Sequence, residues 1–139
     1  MRWVDWYGDS SLHVLDVALA CCSLEFDAAA PATAGPAVEP PTDGRTAVVV
    51  SGTVTDRLAP AVAAVVDSVR ARQTVAPVVV AYGVCATTGG PYWDSYAVTK
   101  GVDALVGVDV YVPGCPPTPA ALREVLDGVS GRTARGATA

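Results

Sequence analysis

The chain has 139 residues, of which 51% are hydrophobic and 17% are charged, and its formal net charge at pH 7 is −5. This length fits a single domain with a core of its own. The acidic balance argues against a nucleic-acid or anionic-membrane binder, because both need a basic face. There is also no run of about 20 apolar residues, the length needed to span a bilayer.

The chain divides into three predicted parts: an aromatic N-terminal lead-in over residues 1–11, an α/β domain over residues 12–129, and a flexible tail over residues 130–139. In the lead-in, we expect Trp3, Trp6 and Tyr7 to dock a partner. The apolar run that follows contains acidic residues and is preceded by them, which is the wrong charge pattern for an export signal. We therefore expect a cytoplasmic protein with reduced cysteines.

Apolar runs and helical patterns alternate along the α/β domain. The predicted strands are Leu12–Ala20, Ala47–Ser51, Pro77–Tyr82 and Ala104–Val112. The predicted helices are Asp56–Arg72 and Pro119–Val129. The segment 28–45 carries four prolines, which lack a backbone donor, and is predicted to be a loop. This alternation predicts a single α/β domain with an open, mainly parallel sheet and flanking helices.

The four cysteines, Cys21, Cys22, Cys85 and Cys115, all follow predicted strands. Loops beyond the carboxyl ends of parallel strands meet at one edge of the sheet, where sites form. We therefore expect the four thiols to converge, although they are far apart in sequence.

Three kinds of cysteine chemistry remain open on this pattern. A structural zinc ion usually takes closely spaced pairs of ligands, whereas 62 residues separate Cys22 from Cys85 and 29 separate Cys85 from Cys115. A disulfide between the adjacent Cys21 and Cys22 would be strained and would leave two cysteines unexplained. An iron–sulfur cubane offers each thiolate its own iron corner, so the pattern favours an iron–sulfur cluster over zinc or unliganded thiols.

Several segments resemble the 20 kDa, PSST-type subunit of NADH–quinone oxidoreductase (respiratory complex I), which is related to the small subunits of nickel–iron hydrogenases. They are ALACCSLE, SGTVTDRLAPA, YGVCATTGGPYWDSY and VDVYVPGCPPTPAAL. The resemblance extends from about Leu12 to Val129. It implies a flavodoxin-like fold in which Cys21, Cys22, Cys85 and Cys115 bind one [4Fe–4S] cluster, the last electron carrier before quinone.

The resemblance also implies a setting for the chain. We expect a subunit that is inactive alone and is held at the cytoplasmic side of the cell membrane by a 49 kDa-type catalytic subunit, a ferredoxin-like subunit and a membrane subunit. The parent assembly would be of the NADH–quinone type, with an energy-converting hydrogenase-like complex as the alternative. A zinc-stabilised binding module without redox function is the other class of function that remains.

Other residues in these motifs have more than one possible role. Glu25 stands where the family also has an acid, and either couples proton and electron movement or is a surface carboxylate. His13, the only histidine, is expected to pack rather than to bind metal. Gly83, Gly89 and Gly90 are either turn glycines or let the backbone approach a cluster. The aromatic residues Tyr92, Trp93 and Tyr96 are expected in the core or at an interface.

The chain departs from the family between Glu25 and Val48. Family members usually carry a longer stretch there, with basic residues and methionines that contribute to a quinone cavity. Here Phe26 and Asp27 stand where methionines are expected, and Arg45 is the only cation of the segment. We therefore expect quinone reduction to be weaker, or differently inhibited, than in typical members.

Overall fold

A computed structural model describes residues 1–37 and 40–131 of the chain. Its strands are β1 (Arg2–Asp5), β2 (His13–Ala18), β3 (Gly35–Ala37), β4 (Thr46–Ser51), β5 (Val78–Tyr82) and β6 (Val110–Val112). Its α-helices are α1 (Cys22–Ala29), α2 (Ala59–Arg72), α3 (Val84–Thr88) and α4 (Pro119–Ser130). Two short 3₁₀ turns cover Gly90–Tyr92 and Val102–Ala104.

The six strands form one sheet in the order β3-β1-β2-β4-β5-β6. Strands β2, β4, β5 and β6 run parallel, while β1 is antiparallel to both β2 and β3. The arrangement is a flavodoxin-like α/β fold, as the sequence predicts. All six residues of β4 are buried, since helices cover both faces of a parallel sheet.

Two hydrophobic layers enclose the sheet. Helices α1 and α4 cover one face, where Phe26, Leu122 and Leu126 are fully buried. Helix α2 and the segment from α3 to the second 3₁₀ turn cover the other face, around Val66 and Ala86. Because α1 begins directly after β2 and α3 directly after β5, the first turns of both helices lie at the carboxyl edge of the sheet.

The predicted strands and helices agree with the structure in most places. Leu12–Ala20 contains β2, and the predicted helix Pro119–Val129 is α4, whose N-cap Thr118 accepts a side-chain hydrogen bond from the Ala121 amide. The predicted helix Asp56–Arg72 begins later, at Ala59, because the Thr55 carbonyl first accepts the amides of Leu58 and Ala59 in a turn.

The prediction of a strand over Ala104–Val112 is wrong for most of its length. Only Val110–Val112 pairs as β6. Just before it, the Asp109 side chain accepts the Val79 amide at 2.8 Å, while the Asp109 amide donates to the Val79 carbonyl at 2.9 Å. The carboxylate thus replaces the backbone carbonyl that a longer strand would have offered.

The prediction of a loop over residues 28–45 is wrong at two places. Ala28 and Ala29 are the end of α1, and Gly35–Ala37 forms β3 at the sheet edge. Pro36 lies opposite Val4 in this edge strand, where a proline is tolerated because its missing donor can face away from the sheet. Val38 and Glu39 of the predicted loop lie outside the described residues, as do residues 132–139 of the predicted tail.

The N-terminal lead-in belongs to the sheet. Arg2–Asp5 pairs with β2 as β1, and Trp6 is fully buried, edge-on to Phe26 with ring centroids 5.4 Å apart. The Tyr7 hydroxyl contacts Asp127 and Ser130 of α4. The expectation that Trp6 docks a partner is therefore wrong, because its hydrophobic surface is used within the core.

Candidate functional site

The four cysteines lie beyond the carboxyl ends of the parallel strands. Cys21 is the N-cap residue of α1, and Cys22 is the first residue of that helix. Cys85 is the second residue of α3, and Cys115 lies between β6 and α4. All four cysteines thus follow strands, as predicted, and Cys22 and Cys85 lie in helices because α1 and α3 begin soon after the preceding strand ends.

The segments that carry the cysteines lie next to one another. A Cβ added at Gly83, two residues before Cys85, would lie 2.5 Å from the Cys22 Sγ and 3.9 Å from the carbonyl oxygen of Gly114, the residue before Cys115. Burial is the main cause that raises the pKa of the Cys22 thiol to about 12, and the other three cysteines contribute less. The segments of Cys22, Cys85 and Cys115 therefore meet at this edge of the sheet, with Cys21 adjacent to Cys22 in the chain.

Glycine residues lie next to the sulfurs of Cys22 and Cys85. Gly83 has φ +99°, and a Cβ added there would fall 2.5 Å from the Cys22 Sγ. A Cβ on Gly90 would fall 3.0 Å from the Cys85 Sγ. Side chains at these positions would displace the sulfurs, so the glycines leave room that the site needs.

The site is open on one side. Cys22 and Cys85 are buried, whereas Cys21 and Cys115 are exposed, and all four thiols are free. Within residues 1–37 and 40–131, no three Cys, His, Asp or Glu side chains are arranged to hold a single metal ion. The donor set at this edge is therefore four thiols, two of which reach the surface.

These residues fit a [4Fe–4S] cluster. Four thiolates are the usual ligands of such a cluster. Burial raises the pKa of the Cys22 thiol, and a positive group bound to the sulfur would hold it as the thiolate. Because Gly83 and Gly90 have no side chains, the space beside the two sulfurs is free for a bulky inorganic group.

Glu25 and His13 have different relations to this edge. Glu25 lies in the first turn of α1, partly buried, and its charge contributes to raising the pKa of Tyr82 after the larger effect of burial. His13 begins β2, at the opposite end of the strand from Cys22, and is buried with no hydrogen-bond partner for its Nδ1. The histidine is thus packed in the sheet, away from the cysteines.

The aromatic segment after α3 faces solvent. Tyr92, Trp93 and Tyr96 are 54%, 62% and 97% exposed. A core role is therefore wrong for all three, and an interface role stays a prediction.

The residues that depart from the family pattern are engaged within the fold. Phe26 is fully buried, the Asp27 carboxylate contacts Arg2, and the Arg45 guanidinium donates to the Val129 carbonyl at 3.2 Å. The contacts of Asp27 and Arg45 do not involve a cysteine, whereas Phe26 belongs to the same core cluster as Cys22.

Tyr82 is a site residue that sequence reasoning did not single out. It ends β5, is fully buried, and donates its hydroxyl to the carbonyls of Pro117 and Thr118 beside Cys115. The available signal was that Tyr82 carries a hydroxyl at the end of an otherwise aliphatic strand. It also stands directly before the segment Gly83–Cys85.

The sequence matches a known family over most of its length. The family described as "NADH ubiquinone oxidoreductase, 20 Kd subunit" matches residues 9–129. A B-type subunit of NADH-quinone oxidoreductase from Salinispora tropica is 44% identical over 133 aligned positions, which cover 86% of this chain and 64% of that protein. Another B-type subunit of the same enzyme, from Streptomyces griseus, is 42% identical over 139 positions, covering 95% of this chain and 57% of that protein.

A solved structure shares the fold. A chain of the membrane-bound sulfane sulfur reductase, an archaeal respiratory membrane complex, superposes with a TM-score of 0.63 at 26% identity, covering 91% of this chain and 70% of that one. In the part of the present chain that the structure describes, no helix is long and apolar enough to cross a membrane. The chain spans 64% and 57% of the length of the two curated relatives. Its sequence places it in the 20 kDa subunit family of NADH–ubiquinone oxidoreductase.

Proposed function

We propose that the chain is an electron-transfer subunit whose Cys21, Cys22, Cys85 and Cys115 bind one [4Fe–4S] cluster. The observation that carries this proposal is that the Cys22 sulfur, the turn before Cys85 and the Gly114 carbonyl next to Cys115 lie together at one edge of the sheet. When bound, such a cluster accepts and donates one electron at a time. The chain's own residues hold it, shape the space around it and leave one side accessible.

The adjacent pair supports a cluster better than a single ion. Cys21 and Cys22 differ in exposure, one exposed and one buried, so their side chains point in different directions from neighbouring backbone positions. Two such thiolates suit two separate iron corners, whereas a tetrahedral zinc ion needs both sulfurs at one point, at about 2.3 Å from the metal.

The relatives favour quinone as the final acceptor and a multisubunit complex as the setting. Both curated relatives are named as subunits of NADH-quinone oxidoreductase. We therefore infer that the chain takes electrons from upstream iron–sulfur clusters and delivers them to quinone, in a complex whose other subunits hold it at the cytoplasmic face of the membrane. The likeness to a chain of a membrane-bound sulfane sulfur reductase supports a second candidate, a related membrane complex with another acceptor.

Cysteine substitution in the assembled complex tests the ligand assignment. Cys21→Ser and Cys22→Ser should each alter or abolish the EPR signal of the cluster, because each removes a thiolate from a different iron. Thr88→Ser is the matched control: it lies in the same helix as Cys85, is exposed, and keeps a hydroxyl for the Val84 carbonyl. Unchanged EPR spectra in both cysteine variants would overturn the assignment.

A further inference from the structure

The loop that carries Cys115 depends on donors from elsewhere in the fold. We define the Cys115 loop as residues 113–118, between β6 and α4. Pro113, Pro116 and Pro117 have no backbone N–H, so half of the loop's residues cannot donate. Its carbonyl groups must therefore find their partners in neighbouring elements, and these partners decide where the Cys115 thiol lies.

The start of the loop is held by two backbone amides. The Gly83 amide donates to the Val112 carbonyl at 2.7 Å, and the Val84 amide donates to the Gly114 carbonyl at 2.9 Å. Both donors come from the turn that leads into Cys85. The two cysteine-bearing segments are thus joined through the backbone at this end.

The end of the loop is held by the Tyr82 side chain and by the first turn of α4, where the Ala121 amide donates to the Thr118 carbonyl at 3.1 Å. The Tyr82 hydroxyl lies 3.2 Å from the Thr118 carbonyl oxygen and 3.3 Å from that of Pro117, so its single proton is shared between two acceptors. Tyr82 is fully buried in the layer beneath α1 and α4, which fixes its ring and therefore the position of its hydroxyl. Pro117 is itself buried, so water has little access to its carbonyl.

Together these contacts come from three consecutive residues, Tyr82, Gly83 and Val84, immediately before Cys85. We propose that Tyr82 is a positioning residue: its hydroxyl fixes the far end of the Cys115 loop and thereby the place where the Cys115 thiolate meets the cluster. This inference rests on the proposed function, because it needs a bound cluster. The tether, which we define as the hydrogen bonds from the Tyr82 hydroxyl to the Pro117 and Thr118 carbonyls, is formed by the chain itself. The hydroxyl acts through the loop, without touching the electron carrier.

The test compares Tyr82→Phe with Tyr111→Phe. The first substitution removes one oxygen atom and keeps the buried ring. The second removes a hydroxyl that is on the exposed surface, 3.3 Å from Asp103, and is the matched control. Both variants are prepared anaerobically in the assembled complex, and the iron-depleted form of each complex is also measured by hydrogen exchange at the Val84 and Ala121 amides, which donate to the Gly114 and Thr118 carbonyls of the loop.

Two results are expected for Tyr82→Phe. In the iron-depleted form, the Val84 and Ala121 amides, which are hydrogen-bonded to the loop, should exchange faster, by about fivefold, the factor that corresponds to the loss of one ordinary hydrogen bond. In the loaded complex, the iron content should stay at the wild-type value, while the EPR g values shift and a chelator removes iron about fivefold faster. Tyr111→Phe should change neither measurement.

Each outcome decides the matter. Unchanged exchange in Tyr82→Phe overturns the tether, whatever the wild-type chain binds. Faster exchange with unchanged g values and iron release overturns the positioning role, because the loop would then move without affecting the cluster. If the wild-type complex carries no iron in this chain, the proposed function fails and the positioning role fails with it, while the exchange result still shows separately whether the tether exists.

Discussion

Gly83 is the glycine of the site at which an added Cβ would come nearest to a sulfur. Its φ of +99° and ψ of 154° lie in a region that is essentially restricted to glycine. A methyl group there would also meet the Cys22 Sγ at 2.5 Å. Both effects act at the same position, so the backbone and the thiol cannot both keep their places once a side chain is added.

We expect Gly83→Ala to cost about 1–3 kcal/mol in backbone strain and to displace Cys22. The variant complex should contain less iron per chain and lose it at lower temperature, as measured by iron analysis and by thermal bleaching of the visible absorption. Gly35→Ala is the matched control, because a Cβ at Gly35 meets nothing within 4 Å. Wild-type iron content and thermal bleaching in Gly83→Ala would contradict this role of the glycine.

At the scale of elements, the segment 28–45 and the residues just before it bear on the proposed reaction with quinone. Phe26, just before the segment, is buried in the core, and Arg45, at its end, is bonded to the last turn of α4. Asp27 is paired with Arg2. Phe26, Asp27 and Arg45 are thus all engaged within the fold. Phe26 and Asp27 stand where methionines are expected from the resemblance, and Arg45 is the cation of the segment.

We therefore expect the assembled complex to reduce quinone more weakly, or with altered inhibitor sensitivity, while the upstream donor still reduces the cluster normally. The two half-reactions are measured separately on the purified complex: cluster reduction by EPR after addition of the donor, and quinone reduction by steady-state turnover with inhibitor titration. If quinone turnover and inhibitor sensitivity both equal those of typical family members, a partner supplies the whole wall of the quinone cavity.

Elements with strong local patterns were predictable from the sequence. The valine-rich runs at β4 and β5 and the helical spacing of α2 agree with the structure because buried parallel strands and amphipathic helices leave local signatures. The position of all four cysteines beyond the carboxyl ends of the parallel strands followed from the strand order. The positions of β2 and α4 were likewise visible in short apolar and proline signals.

Elements that depend on tertiary pairing were not predictable. Strand β3 is three residues long and contains Pro36, and it exists only because β1 offers an edge to pair with. Trp6 looked like a surface aromatic because its partner Phe26 is 20 positions away in sequence. The tether from Tyr82 to Pro117 likewise joins residues whose spacing, 35 positions, carries no local signal.

At the scale of the whole molecule, the exposed aromatic segment after α3 is where we expect the chain to contact a partner. Trp93 and Tyr96 are largely exposed, and the segment follows directly from the helix that holds Cys85. Aromatic residues are enriched at protein interfaces and often dominate their binding energy. A partner that covers this segment would also lie close to the cysteine-bearing edge.

We expect the double variant Trp93→Ala, Tyr96→Ala to weaken assembly, with about 2 kcal/mol or more lost if either residue is a binding hot spot. Co-purification with the other subunits should fall. Val75→Ala is the matched control, because Val75 is also exposed, at 55%, but lies between α2 and β5. Undiminished co-purification of the double variant would place the interface elsewhere.

The central claim is that four thiols of this chain hold one iron–sulfur cluster, and metal analysis of the anaerobically purified native complex tests it most directly. We predict about four irons and four acid-labile sulfides assignable to this chain, with broad visible absorption that bleaches on reduction. Stoichiometric zinc in this chain, without iron and without visible absorption, would contradict the claim.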